Sequence, residues 1–259
     1  MTASLQTETP GAPFDEQLTT PRALGFHLLP GVLIAGLFYA LAPVLMGAGY
    51  PAIVAGMAAA LVGIVGVQLG WLLHEGHRIS GRWSVTAALP YRPGKFTWRK
   101  VALVVGLIIW QFLVAATVGG MKPTMIETFF FWVPDWAISP FPADIASTAS
   151  PTVLLVTGAS MLLVNVLFGP TVEELYFRGY LLPRLARFGL WAPLINVSLF
   201  SVYHFWTPWD VLTRIVILLP LGYAVWRTKD YRIGIAAHVG LSAVGFLLNT
   251  LPTLLGAGS

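Results

Sequence analysis

Long uninterrupted apolar runs dominate the pattern of hydrophobic and polar positions along this chain. A run of about 20 apolar residues is long enough for a helix to cross the roughly 30 Å hydrocarbon core of a bilayer. Such runs predict spans at about residues 25–47, 51–73, 100–119, 151–183, 190–206, 211–226 and 233–255. We therefore predict an all-α fold, a polytopic transmembrane helix bundle of about seven spans, with residues 25–259 forming a single transmembrane domain.

Two segments interrupt the apolar pattern. Residues 1–24 are polar and rich in Thr and Pro, and no basic stretch leads into a short apolar one. They are therefore predicted to be a polar, largely disordered N-terminal tail rather than a signal peptide. Residues 121–150 contain an FFFW run and several prolines, which make the segment too irregular for a span. Because Trp and Tyr favour the headgroup region, this segment is predicted to lie at the membrane interface.

Composition supports a membrane protein and excludes several other classes. Only 10% of the residues are charged, against roughly 25% in an ordinary soluble domain. Cysteine is absent, which excludes disulfides, thiol catalysis, iron–sulfur clusters and thiolate zinc sites. The net charge is +4, but the basic residues stand in loops beside the predicted spans. They indicate topology, and no nucleic-acid partner is predicted.

The distribution of basic residues predicts the orientation in the membrane. The loop after the second span is strongly basic, whereas the loop after the third carries Lys122 against three acidic residues. Since basic loops face the cytoplasm, the N-terminus is predicted to be cytoplasmic and the C-terminus external. Low lysine content and frequent Ala, Gly and Trp are typical of a GC-rich bacterial genome. We therefore predict an integral protein of a bacterial inner (plasma) membrane.

Three ionisable side chains stand within or at the end of apolar spans at comparable depths. At 1.5 Å per residue, Glu173, His204 and His238 lie about 15, 21 and 9 Å from the cytoplasmic ends of their helices. An ionisable side chain at membrane depth costs at least a few kcal/mol, so it usually faces the bundle interior and has a function. The three groups are therefore predicted to form one site in the cytoplasmic half of the membrane.

Neighbouring residues in the run FGPTVEELYFRG extend this site. Glu174 and Arg178 are i, i+4 neighbours, so the arginine can neutralise that carboxylate, and a purely structural ion pair is an equally good interpretation of these two alone. Glu173 points about 100° away and is free to face another partner. Pro170 removes a helical hydrogen bond and predicts a kink that admits water.

Other polar residues in the apolar runs are given structural roles. Asn165 and Asn196 are predicted to form hydrogen bonds between helices. His27, close to the start of the first span, is predicted to lie among the lipid headgroups.

The same residues carry a resemblance to a known family. The run EELYFRG at residues 173–179 matches the EExxxR motif of the CPBP family, which comprises CAAX proteases and bacteriocin-processing enzymes and is also called the Abi family. The run FSVYH, ending at His204, matches the second motif, FxxxH. His238 stands in the right order for the third motif, a histidine followed four residues later by asparagine, but Ser242 occupies that last position here.

This resemblance implies an intramembrane endopeptidase with its catalytic core at about residues 151–255. Glu173 would activate a water molecule, and His204 and His238 would orient that water or stabilise the oxyanion. Arg178 with Glu174 would hold the catalytic glutamate in place.

The resemblance also bears on oxyanion support and on cofactors. Ser242 would be a supporting donor, since a hydroxyl donates a hydrogen bond but reaches less far than an amide. The family has been described both as metalloproteases and as glutamate proteases without bound metal. No cofactor is favoured here, because adjacent Glu173 and Glu174 point to different faces. A divalent metal such as zinc remains an alternative, with Glu173, His204 and His238 as its ligands.

The implied partners are membrane lipids and a peptide or protein substrate with a cleavage site close to the cytoplasmic membrane face, which can be lipidated. Two other functions stay open. In a proton-coupled transporter the buried carboxylates and histidines would form a relay, although the internal repeat typical of transporters is not visible. A non-catalytic membrane scaffold of the same fold would bind a peptide without cutting it.

Overall fold

The computed structural model describes residues 16–256, and this range contains helices and no strands. Six helical stretches in it are long and apolar enough to cross a membrane: Thr20–Gly47, Ala52–Ser80, Trp98–Phe129, Pro151–Tyr203, Pro208–Thr228 and Tyr231–Leu254. The predicted all-α, polytopic transmembrane bundle is confirmed. We name the first three α1, α2 and α3.

About seven spans were predicted, and six helical stretches are present in the described residues. The difference arises because the fourth stretch, Pro151–Tyr203, covers two of the predicted spans. Its backbone turns at Gly189, which has φ 54° and ψ −125°, a conformation that glycine adopts without the penalty of a Cβ atom. Residues 151–188 form α4, and Ala192–Tyr203 forms α5. With 12 residues, α5 is about 18 Å long and reaches only partway across the hydrocarbon core. The last two stretches, Pro208–Thr228 and Tyr231–Leu254, are α6 and α7.

The first described residues pack against the end of α4. The backbone amide of Leu18 donates to the carbonyl of Arg184 at 3.0 Å, and Oε1 of Gln17 accepts from the amide of Arg187 at 3.0 Å. Helix α1 begins at Thr20, so it includes five residues that were assigned to the tail. Residues 1–15 of that predicted tail lie outside the described residues.

The segment predicted to be irregular, residues 121–150, is so only from residue 130, because Lys122–Phe129 is α-helical and continues α3. Residues 130–150 contain only the short turns Asp135–Ile138 and Ile145–Thr148. The amide of Ile53, at the start of α2, donates to the carbonyl of Pro140 at 2.8 Å. This segment therefore covers the connection between α1 and α2. Its predicted place at the membrane interface stays a prediction.

The bundle has two chemically different ends. At the first end, which we call the basic end, Lys229 lies 5.3 Å from the Tyr91 ring centroid, and Arg232 donates to the carbonyl of Gly94. The starts of α1 and α7, the loop 81–97 and the turn at Gly189 share this end. At the opposite end, the Phe130 ring centroid lies 6.0 Å from that of Trp209, which places the α5–α6 turn beside residues 130–150.

Asp230 fixes the start of α7 at the basic end. Its buried carboxylate accepts from the amide of Arg232 at 3.1 Å, and ion pairs join it to the Arg232 side chain at 2.9 Å and to Lys100 Nζ at 2.6 Å. Burial by itself raises the pKa of this carboxyl, but the hydrogen bonds from Arg232 and Lys100 outweigh burial and hold the pKa below its usual value.

This lowered pKa predicts an acid-sensitive contribution to stability. A carboxyl whose pKa is lower in the folded state stabilises the fold fully above its unfolded pKa of about 3.9 and loses that contribution as pH falls through the folded pKa. We expect the melting temperature of the wild type in detergent to fall more between pH 5 and pH 3 than that of Asp230→Asn. Glu127→Gln, which removes an exposed carboxylate, serves as the control. Parallel pH profiles for wild type and Asp230→Asn would contradict this prediction.

Candidate active site

A cavity of about 300 Å³ lies between α1, α2, α4, α6 and α7, beside the turn that follows α5. Its wall is apolar on the side of α1 and α2, where Ile34, Met57 and Ile64 line it. Its polar lining consists of Asn165, Glu173, Tyr203, His204, Thr207, Arg214, His238 and Ser242. The structure thus brings the three ionisable side chains singled out in the sequence, together with Ser242, to one cavity.

Glu173 is held by a short hydrogen-bonded chain across three helices. The side chain is only 7% exposed, and its Oε1 accepts from the Tyr203 hydroxyl at 3.2 Å. That hydroxyl in turn accepts from Nε2 of Gln68 at 2.8 Å. Because each of the three side chains comes from a different helix, the carboxylate is oriented by the packing of α2, α4 and α5.

The backbone of α4 is irregular on both sides of Glu173. The stretches Met161–Phe168 and Glu174–Leu181 are π-helical, and Gly169–Glu173 lies between them with Pro170 in its first turn. Pro170 has no amide hydrogen to donate, and π-helical turns are frequent at functional sites. The local departure from α geometry coincides with the place where the sequence predicts a kink.

Glu174 and Arg178 form a buried ion pair behind the cavity wall. Both side chains are 0% exposed, and Arg178 Nη1 lies 3.3 Å from Glu174 Oε1. The guanidinium also stacks on the Phe200 ring, 4.1 Å from its centroid. The same Glu174 oxygen lies 3.1 Å from Nδ1 of His238. A carboxylate only accepts, so Nδ1–H donates to it and Nε2 of His238 is left to face the cavity.

His204 is oriented in the same way by a different acceptor. It follows the last residue of α5, and its Nδ1 lies 2.9 Å from the carbonyl oxygen of Phe200. Since a carbonyl only accepts, Nδ1 carries the hydrogen and Nε2 is free. The rings of Phe200, Tyr203 and Trp206 surround the imidazole, each with its centroid 4.8 Å away. This aromatic packing restricts the ring to one orientation.

The cavity is closed towards the basic end. In that direction, buried side chains follow the cavity residues of three helices, α4, α5 and α7: Phe177, Leu181, Phe200, Ile233 and Ala237. In the other direction the cavity extends to Ile53, Ala137 and Pro140. The site is therefore reached from the end of the bundle opposite the basic loops, or between helices, and not through the basic end.

The positions of the possible ligands, Glu173, His204 and His238, are relevant to the alternative that the site binds a metal ion. Within residues 16–256, no group of three or more His, Asp or Glu side chains is placed to hold a metal. Glu173, His204 and His238 share the cavity without forming a ligand set in this arrangement. The alternative of a zinc site stays a prediction.

Gly234 is a point of close approach behind the site. It precedes His238 by one turn on α7, and a Cβ atom added to it would overlap Oε2 of Glu174 and lie 3.2 Å from its Cδ. Gly234→Ala should therefore displace the carboxylate that orients His238. We expect the purified Gly234→Ala protein to keep its fold and to lose catalytic activity by a factor of about ten or more, because a small misplacement of a catalytic group slows a reaction strongly.

Gly245→Ala is the matched control for that substitution, because Gly245 ends the α-helical part of α7 and an added Cβ atom there meets nothing within 4 Å. Equal activity of the two alanine variants would contradict a positioning role for the Glu174–His238 contact.

The structure adds three residues that sequence reasoning missed. Tyr203 and Gln68 hold Glu173, and Arg214 lines the cavity from α6. Each carried a signal, since Gln68 and Arg214 interrupt predicted spans and Tyr203 lies within FSVYH.

The outcomes for the other polar residues are mixed. The placement of His27 among the headgroups is wrong, because its ring is fully buried, with Nδ1 2.7 Å from the carbonyl of Ala23 and Nε2 3.1 Å from Nδ2 of Asn196. The N-terminal segment extends α1 beyond the predicted start, so His27 lies two turns inside the helix. Asn196 forms the predicted hydrogen bond between helices, whereas Asn165 lines the cavity.

The comparison with protein families agrees with the class that this site indicates. Residues 155–244 match the family described as type II CAAX prenyl endopeptidase Rce1-like. The matched range is roughly a third of the chain and contains Glu173, His204, His238 and Ser242. No curated protein and no solved structure matches this chain.

The six long apolar helices and the family match together support an integral membrane protein in which residues 155–244 are similar to CAAX proteases. The resemblance to the CPBP family, drawn from the motifs, is confirmed over this region. The family implies a peptide hydrolase.

Proposed function

We propose that this protein is an intramembrane endopeptidase in which Glu173 activates a water molecule for attack on a peptide bond. The observation that carries the proposal is the shared cavity, which Glu173, His204 and His238 all line and in which each of the three side chains is held by a hydrogen bond. A base, polar donors and a water-poor surround are the elements that acyl hydrolysis requires.

In the proposed reaction, Glu173 accepts a proton from water as the water oxygen bonds to the carbonyl carbon. The carbonyl oxygen becomes an oxyanion, which the Nε2–H group of a protonated histidine stabilises. The C–N bond then breaks, and the proton held by Glu173 passes to the leaving amine. The products are a new carboxyl end and a new amino end, which accounts for all atoms of the water.

Glu174 and Arg178 act in this proposal as positioning residues, since neither lines the cavity. Glu174 fixes the tautomer of His238, and Arg178 neutralises Glu174 within the buried interior. Ser242 follows His238 by one turn of α7 and lines the same cavity. Its hydroxyl is the proposed supporting donor to the oxyanion.

The proposed substrate is a peptide or protein held close to the membrane, whose cleavage site can carry a lipid. It must enter in an extended form, because a helix shields its carbonyl groups. Glu173 and His238 lie closer to the basic end of their helices than to the other end. With the basic loops in the cytoplasm, cleavage takes place in the cytoplasmic half of the membrane, at a site that the substrate reaches between helices or from the opposite end of the bundle and not through the basic end.

The test uses the purified full-length protein in lipid vesicles, incubated with a peptide library in water enriched in oxygen-18. Mass spectrometry should find shortened peptides whose new carboxyl ends carry the heavy oxygen. Glu173→Gln serves as the inactive control. A transporter or a peptide-binding scaffold would yield no labelled ends, and that result would end the hydrolase proposal.

A further inference from the structure

Three arginines line a second cavity, which lies at the basic end of the bundle and apart from the catalytic groups. It encloses about 230 Å³ between the start of α1, the end of α2 and the end of α4. The charged residues in its lining are Glu16, Arg22, Glu75, Arg78 and Arg184. We call this cavity the basic pocket, because these side chains carry a net charge of +1, three arginines against two glutamates.

Each glutamate of the basic pocket is paired with an arginine. Arg22 Nη1 lies 2.6 Å from Glu16 Oε1, and Arg78 Nη2 lies 2.8 Å from Glu75 Oε2. Both carboxylates also act electrostatically on Arg184, but two negative charges are shared among three positive ones. The pocket as a whole therefore favours an anion with a single negative charge.

Arg184 is the buried cation of the basic pocket. It is 3% exposed, its guanidinium stacks 3.8 Å from the centroid of the Tyr180 ring, and its Nη1 donates to the Tyr180 carbonyl at 2.8 Å. A guanidinium has five N–H donors, and within residues 16–256 this is the one hydrogen bond that it makes. The side chain is therefore held in place with donors left over, and its planar fork matches two oxygens of a phosphate.

An apolar groove continues from the basic pocket along the surface of the bundle. Its volume is about 370 Å³, and it shares Phe26 of α1 and Trp71 of α2 with the basic pocket. The centroids of these two rings lie 4.8 Å apart. Gly66 and Gly70, one turn apart on α2, line the groove further along. A Cβ atom added to Gly66 would meet nothing within 4 Å, so the groove is open to the surrounding membrane there.

The basic pocket and the groove together have about the depth of one membrane leaflet. Along α2, Gly66 precedes Arg78 by 12 positions, which is about 18 Å at 1.5 Å per residue. Half of the hydrocarbon core is about 15 Å thick. A molecule that fills both spaces therefore has an anionic end at the level of the helix ends and an apolar chain that reaches towards the middle of the bilayer.

We propose that a phospholipid with an anionic headgroup binds here, with its phosphate in the basic pocket and one acyl chain in the groove. Basic pockets between membrane helices on the cytoplasmic side bind acidic lipid headgroups, and the basic end is the end predicted to face the cytoplasm. A free phosphate ester matches the basic pocket alone, because it has no chain for the groove. The site does not include Glu173, and lipid binding does not depend on the proposed hydrolase activity.

The test titrates the purified full-length protein in detergent with phosphatidylglycerol or phosphatidylcholine and measures the lipid-bound fraction by native mass spectrometry. We expect phosphatidylglycerol to bind about tenfold more tightly, because it carries a net negative charge and phosphatidylcholine does not. Glycerol 3-phosphate at the same concentration should not displace the lipid. Displacement at equal concentration would show a site for free phosphate esters and overturn the assignment to a lipid.

Substitutions in the basic pocket test the headgroup end. Arg184→Gln should weaken binding of phosphatidylglycerol at least about fivefold and leave phosphatidylcholine unchanged. Arg187→Gln, which removes an exposed arginine at the same end of α4, is the matched control and should change neither. Glu16→Gln raises the net charge of the pocket and should tighten binding of phosphatidylglycerol, a gain that damage to the fold does not produce.

Substitutions in the groove test the chain end. Gly66→Leu should fill the groove and weaken binding of both lipids, whereas Gly106→Leu, at an exposed glycine of α3 with equal free space, should not. Equal affinity of the wild type for the two lipids overturns the proposal. So does an affinity for phosphatidylglycerol that neither Arg184→Gln nor Glu16→Gln changes, or a Gly66→Leu protein that binds both lipids as the wild type does.

Discussion

Replacing Glu173 by glutamine is expected to reduce peptide cleavage by a factor of about 10²–10⁴, the usual contribution of a general base. Glutamine has nearly the same shape and still offers an oxygen to the Tyr203 hydroxyl, which lies 3.2 Å from the carboxylate. It cannot accept a proton from water. Cleavage rates of the purified variant in lipid vesicles, with melting temperature recorded alongside, measure the effect.

The matched control for Glu173→Gln is Glu75→Gln. Glu75 is also a buried carboxylate, but it lies near the basic end of α2 and pairs with Arg78 at 2.8 Å, outside the cavity. We expect Glu75→Gln to retain most of the activity. A folded Glu173→Gln protein that cleaves at the wild-type rate would rule out Glu173 as the base.

Replacing Arg178 by methionine is expected to lower the free energy of unfolding by about 3–5 kcal/mol, the range for removing one partner of a buried ion pair. The substitution leaves Glu174 in the interior at 0% exposure, with His238 as its remaining partner. The loss of the guanidinium stacked on Phe200 adds to the effect. Unfolding in detergent, followed by temperature or denaturant, gives the measurement.

The second variant of this experiment removes both charges. Glu174→Gln/Arg178→Met eliminates the uncompensated carboxylate, so it should be more stable than Arg178→Met alone. Arg187→Met tests the loss of an exposed arginine near the end of the same helix and should change stability little. If the double variant were less stable than Arg178→Met, the buried carboxylate would not be the cause of the destabilisation.

Much of the fold was predictable because hydrocarbon thickness and backbone hydrogen bonding leave a spanning segment few alternatives. The turn at Gly189 was harder to predict. A short irregular break between two apolar runs predicts two separate spans, whereas the chain continues as α4 and the half-length α5. Hydropathy depends on how apolar a segment is and not on how far its helix reaches.

The sequence predicted some residues of the candidate site and missed others. Glu173 and His238 stand out because charge is rare among apolar residues, and the structure places both at the cavity. The contact of Tyr203 with Glu173 joins residues 30 positions apart. Tyr203 lies within the run FSVYH, but the sequence does not show which side chain its hydroxyl contacts. Gln68 lies 135 positions from Tyr203, and only the packing of α2 against α5 brings the two together.

The fully buried layer beneath the cavity has a consequence for the electrical integrity of the membrane. Water that reaches deep into the bilayer can carry protons across it and so reduce the membrane potential. Moving one charge across a potential of 100 mV is worth about 2.3 kcal/mol. Phe177, Phe200 and Ile233 are buried between the cavity and the basic end. In the proposed reaction, water that enters from the end opposite the basic loops meets this layer of buried apolar side chains, which limits the leakage of protons across the membrane.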